Sequence, residues 1–142
     1  MPDTEETFLA STLRLAVMRL ARRMRVERAD NFLTLSQIAA LATLERSGPL
    51  TPGELAALEK VQPPSMTRLV ARVEELGLVA RAAHPTDRRQ VLLTVSERGL
   101  DLLAEDRRRR DAWLAQRMAE LEPAEVAILH EAALVLDKLA RS

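Results

Sequence analysis

The chain has 142 residues, the length of one domain or of one domain with helical extensions, and its 47% hydrophobic and 30% charged residues supply a core and a solvated surface. The absence of cysteine excludes disulfides, thiolate metal sites and thiol redox sensing, and 2% aromatics argues against ring platforms that stack single-stranded nucleic acid. No apolar run approaches the roughly 18 residues of a membrane span, and the acidic start MPDTEETFLAS lacks a secretory core, so a cytoplasmic protein without a membrane partner is expected.

In chain order, Leu9, Leu13, Ala16, Val17, Leu20 and Met24 recur at three- and four-residue steps and predict an N-terminal helix with one apolar stripe. NFLTLSQIAALATLERSG predicts a second helix, capped by Thr34 or Ser36 and ended near Gly48. LTPGELAALEK reads as a short third helix, with Thr51 at its N-cap, Pro52 first and Glu54 completing a capping box. In VQPPSMTRLVARVEELG, Pro63 and Pro64 fit only a first turn, so a fourth helix starts near Gln62. Met66, Leu69, Val70, Val73 and Leu76 form its buried stripe, and Gly77 ends it.

The period then changes to alternation. Two strands, roughly Leu78–Ala82 and Gln90–Val95, joined by a Pro-Thr-Asp turn, make a hairpin. Ser96 suits the N-cap of a long helix, and a last helix runs from about Pro123 to Ala140, with Ile128, Ala132, Val135 and Leu139 on one side.

The formal net charge of zero hides a segregation. Lys60 to Arg98 holds seven basic and four acidic residues, net +3, whereas Asp101 to Ser142 holds seven basic and nine acidic ones, net −2. Two short helices at a tight turn followed by a hairpin describe a winged helix-turn-helix, whose second helix enters the major groove with its N-terminal residues at the base edges. That helix offers Gln62, Ser65, Thr67, Arg68 and Arg72. Thr67, Arg68, Ala71 and Arg72 fall away from the apolar stripe, and the planar fork of arginine suits guanine edges and phosphates. Gln62, Ser65 and Thr67 lie near the helix N-terminus, where side chains and backbone N–H groups hold phosphate oxygens. The competing view, that Arg68 and Arg72 solubilise an outer face and pair with Glu75, loses weight because the hairpin follows at the right place.

LGLVARAAHPTDRRQVLLTVSERG resembles the wing of the MarR family of bacterial transcription regulators, and LTPGELAALEKVQPPSMTRLVARVEELG resembles the family's helix-turn-helix. The resemblance implies a mainly α fold with a small β-hairpin wing, the lobe at about 34–98 and dimerisation helices at about 5–28 and 100–140. It implies a homodimer on a pseudo-palindromic double-stranded operator, acting as a repressor released by a small phenolic or other anionic effector. Position by position, Arg89 is the wing-tip arginine of the minor groove, Asp87 the acid that orients the wing by pairing with an arginine, and Arg88 a support for phosphate contact. The terminal helices are apolar beyond what the lobe can cover, which independently argues for an interface.

Other features carry less. The arginines of EDRRRRD (Glu105–Asp111) point around a full helical turn and suit a solvated face flanked by acids better than a DNA contact. His84 and His130 stand far apart without cysteine, so no metal is expected, and Trp113 fits core, interface or a ligand pocket. No nucleophile–base pair, phosphate loop or carboxylate pair suggests an enzyme, and no cofactor is implied. The rival from another class is a binding module that keeps the fold without DNA; Arg68, Asp87 and Arg89 weigh against it.

Overall fold

The computed structural model describes residues 1–27 and 33–142. Six helices and one antiparallel hairpin follow in the order α1 (Thr4–Val26), α2 (Leu35–Ser47), α3 (Pro52–Glu59), α4 (Pro63–Glu75), β1 (Val79–Ala83), β2 (Val91–Val95), α5 (Glu97–Met118) and α6 (Pro123–Ala140). This is the expected mainly α chain with a small β-hairpin. It divides into two compact units, Met1–Glu27 with Arg108–Ser142, and Arg28–Arg107. The start of the second expected helix at Asn31 and the end of the first at Arg28 lie outside the described residues.

Helix ends in the Arg28–Arg107 unit follow their local chemistry. Thr34, rather than Ser36, caps α2, accepting from the Gln37 N–H while the Gln37 side chain accepts from the Thr34 N–H. Thr51 and Glu54 close the same reciprocal pair on α3, with Pro52 at the first position, where a missing N–H costs nothing. Such a cap contributes about 1 kcal/mol.

The core of this unit joins Ile38, Leu41 and Leu44 of α2, Leu55 and Ala56 of α3, Met66, Val70 and Val73 of α4, Val79 and Leu93 of the hairpin, and Leu103 of α5. All three buried α4 residues belong to the expected stripe; Leu69 and Leu76 pack at its edge. Strand pairing runs Val79 to Val95, Arg81 to Leu93 and Ala83 to Val91. On its other side Leu93 exchanges backbone hydrogen bonds with Leu50 (3.2 and 2.7 Å), a short third pairing that alternation alone does not reveal.

The hairpin is locked to α5 by Ser96 and Gly99. Ser96 Oγ donates to the Gly77 carbonyl (2.6 Å) and accepts from the Gly99 N–H (3.1 Å), so the N-cap of α5 also holds the end of α4. A Cβ at Gly99 would lie 2.4 Å from the Leu78 carbonyl oxygen and 2.6 Å from Val95 Cγ1. Only glycine allows that approach.

In the other unit, Asp3 and Glu6 cap α1, a box absent from the expected signals. Neither α1 nor α6 contains a buried residue. Leu9 and Leu13 line an apolar groove of about 480 Å³ with Ile128, Ala132, Val135 and Leu139, so the two stripes expected from periodicity meet there. Trp113, 9% exposed, sits between the guanidinium groups of Arg23 and Arg117, 5.5 and 5.6 Å from its ring centre. It is a packed residue with cation–π neighbours.

Candidate nucleic-acid interface

Helix α4 presents one apolar and one polar face. With Met66, Val70 and Val73 sealed inward, Gln62, Ser65, Thr67, Arg68, Ala71 and Arg72 are all exposed. Their side chains are only lightly tied. Arg68 Nη2 donates to Ser65 Oγ at 3.4 Å, Thr67 Oγ1 donates back to the Pro63 carbonyl at 3.0 Å, and Arg72 pairs with Glu75 at 3.3 Å. The Arg72–Glu75 pair is well exposed and worth at most about 1 kcal/mol, so exchange for a phosphate or base edge costs little.

One expectation changes here. Backbone N–H groups at the start of α4 were expected to help hold phosphate, but Pro63 and Pro64 fill its first two positions and carry none. The Met66 N–H is already bonded to the Gln62 carbonyl (2.9 Å). Of the first three helical residues, Ser65 alone has a backbone donor.

The turn into α4 has an unusual residue at its hinge. Lys60 closes α3 in the left-handed conformation (φ 54°, ψ 44°). The Val61 N–H bonds to Ala56 (3.0 Å) and the Lys60 N–H to Ala57 (3.3 Å), the Schellman pattern. Helix α4 ends in the same pattern, with Leu78 bonded to Val73 and Gly77 to Glu74, both at 2.9 Å, and there glycine takes the left-handed place. A side chain in that conformation costs about 1–2 kcal/mol.

The hairpin tip is a four-residue turn, Asp87 to Gln90. The Gln90 N–H bonds to the Asp87 carbonyl (3.1 Å), making a tight turn with Arg88 and Arg89 at its centre. Asp87 Oδ1 accepts from the Arg89 N–H (3.0 Å) and from Arg89 Nε (3.3 Å). These bonds, the backbone one first, hold the Asp87 carboxyl below the usual carboxylate range, and His84 adds to the lowering. Arg89 thus has its Nε fixed while its side chain stays 91% exposed. Arg88 is exposed beside it.

His84 belongs to this tip as well, beyond the residues expected there. Its Nδ1 accepts from the backbone N–H groups of Thr86 (3.2 Å) and Asp87 (3.1 Å), shaping the approach to the turn. The signal available in the sequence was its place directly before Pro85, three residues ahead of the acid. Arg81 of β1 is tied to Glu74 of α4, which braces the hairpin against the helix. Within the arginine run, Arg107 pairs with Glu45 of α2, and Asp106 is buried rather than solvated. Glu54 is held below its usual carboxylate range by the backbone and side-chain bonds of its capping box.

Residues 33–91 match the family model described as the MarR family. A helix-turn-helix-type transcriptional regulator of Mycobacterium bovis is 51% identical over 125 residues, which cover 88% of this chain and 87% of that protein. The helix-turn-helix-type transcriptional repressor MdtR of Bacillus subtilis is 28% identical over 94% of this chain and 87% of its own length. The crystal structure of a Pseudomonas aeruginosa protein described as a transcriptional regulator superposes with a TM-score of 0.90 at 32% identity, covering 99% of both chains. With a winged lobe, a helix that exposes Arg68 and Arg72 and this degree of likeness, the chain belongs to the MarR family of DNA-binding transcriptional regulators.

Proposed function

We propose that the chain acts as a homodimeric repressor of a pseudo-palindromic operator. Each α4 enters a major groove through Gln62, Ser65, Thr67, Arg68 and Arg72, and each wing enters the flanking minor groove through Arg89, oriented by Asp87 and supported on phosphate by Arg88. The lobe at about 34–98 carries these contacts, and the helices at about 5–28 and 100–140 pair the two copies. The observation that carries the reading is the tip itself: two exposed arginines at the centre of a turn whose acid fixes one of them by two hydrogen bonds.

The open apolar groove of α1 and α6 supports pairing of two copies, since exposed stripes of this extent mark interfaces. The repressor sign draws on the relative named as one. Release by a small phenolic or anionic effector belongs to the same reading and rests on the family. Selection of DNA from a random pool by the purified protein tests the whole. A two-fold symmetric site with half-sites about one helical turn apart is expected, and enrichment of no site, or of a single half-site, refutes it.

A further inference from the structure

The lobe contains two turns of the same construction and different composition. Both α3 and α4 end in a Schellman pattern, and both need one left-handed residue. Gly77 fills the position at no steric cost, whereas Lys60 fills it against the preference of every side chain. Strain kept where a cheaper residue exists points to a use for the side chain.

That use is narrowed by the surroundings. Lys60 is the only cation between Arg46 and Arg68, and no ion pair engages it among the described residues. Its neighbour Glu59 accepts a hydrogen bond from Thr43 of α2 and is occupied there. Lys60 lines a shallow concavity of about 410 Å³ with Gly53, Ala56, Ala57, Gln62 and Pro63, small or uncharged residues that let a strand backbone come close. Gln62, at the head of the recognition helix, shares this concavity, and the two prolines that follow offer no backbone N–H to an anion.

We propose that Lys60 is a phosphate anchor, held by its left-handed turn at the head of α4 and standing in for the amides that the prolines remove. An ammonium on a flexible stem suits this role, since it needs proximity to a phosphate rather than a fixed fork of bonds. The proposal rests on the DNA-binding reading and adds a residue to it.

The test measures binding over a range of salt for Lys60→Gly, Lys60→Gln and Lys60→Arg. Two duplexes of about three helical turns serve as probes, one with the site enriched from a random pool and one scrambled. With one phosphate contact per subunit, both neutral variants should lower the slope of log K against log salt by about two, and weaken binding about thirtyfold at 0.15 M salt. The loss should be equal on the two duplexes, and Lys60→Arg should restore most of it. Lys60→Gly should at the same time raise Tm by about 2–4 °C, so stability and affinity move in opposite directions. Slopes unchanged in both neutral variants, or a loss confined to the enriched site, overturn the assignment while leaving the DNA reading intact. A wild-type chain that binds neither duplex overturns both.

Discussion

Helices α4 and α6 carry equally legible apolar stripes and meet opposite fates. In α4, Met66, Val70 and Val73 are 1–2% exposed, packed against α2, α3 and the hairpin. In α6, Ile128, Val135 and Leu139 of the stripe are 57–65% exposed, and no residue of the helix is buried. Periodicity reports that a face wants an apolar neighbour; it does not say whether that neighbour lies in the same chain. The winged lobe closes its own core, whereas α1 and α6 leave an apolar surface exposed, the one on which the proposed pairing of two copies rests.

The most severe test of that contrast is Val135→Asp. If two copies meet on this face, each buries an unpaired carboxylate at a cost of about 3–5 kcal/mol. The dimer should then dissociate at micromolar concentration in sedimentation, with helical content retained, and operator binding should collapse. A dimer that survives the substitution would place the interface elsewhere. The matching perturbation of the lobe is Leu93→Ala. Leu93 is fully buried between β1 and Leu50, and its truncation should cost about 2–5 kcal/mol in urea unfolding. Gly99→Ala comes next, at about 1–3 kcal/mol, because the new methyl meets the backbone carbonyl of Leu78 and the hairpin or α5 must shift. A neutral Gly99→Ala would mean that the helix start yields more easily than its contacts suggest.

The lobe was legible in the sequence largely through its punctuation. Pro52 and Pro63 open helices at the expected residues, and Thr51, Ser96 and Gly77 stand at the expected ends. The strand ends moved for local reasons. Leu78 leaves β1 because its N–H goes to Val73, and Gln90 leaves β2 because its N–H closes the Asp87 turn. Lys60 could not be read in advance, since lysine is not a residue type that announces a left-handed turn. The Leu50–Leu93 pairing was hidden as well, because it joins groups whose meeting is set by how the hairpin folds back.

Between the two arginines of the tip the contrast is finer. Arg89→Ala should lower operator affinity by about 1–3 kcal/mol with unfolding and dimerisation unchanged. Arg88→Ala, if that residue meets phosphate, should weaken all sequences alike and reduce the salt slope. Equal behaviour of the two variants would erase the division of labour between groove and backbone.

The smallest effect concerns the acid that holds Arg89. Asp87 is held below its usual range chiefly by the Arg89 N–H, so the folded wing binds this proton less readily than the unfolded chain does. Its contribution is therefore complete above the usual carboxylate range, and it is lost as pH falls from there through the lowered folded value. At neutral pH the tip should show no dependence on this group. Asp87→Asn separates the two bonds that lower it: an amide oxygen still accepts from the Arg89 N–H, while the charge facing the guanidinium is gone. The Asn variant should keep the Arg89 amide resonance near its wild-type position at neutral pH and abolish its shift at acid pH. It should also loosen the arginine side chain, measured by relaxation at Nε. An Arg89 amide that still titrates at acid pH in the Asn variant would trace the effect to another group, and Asp87 would no longer be what orients the wing.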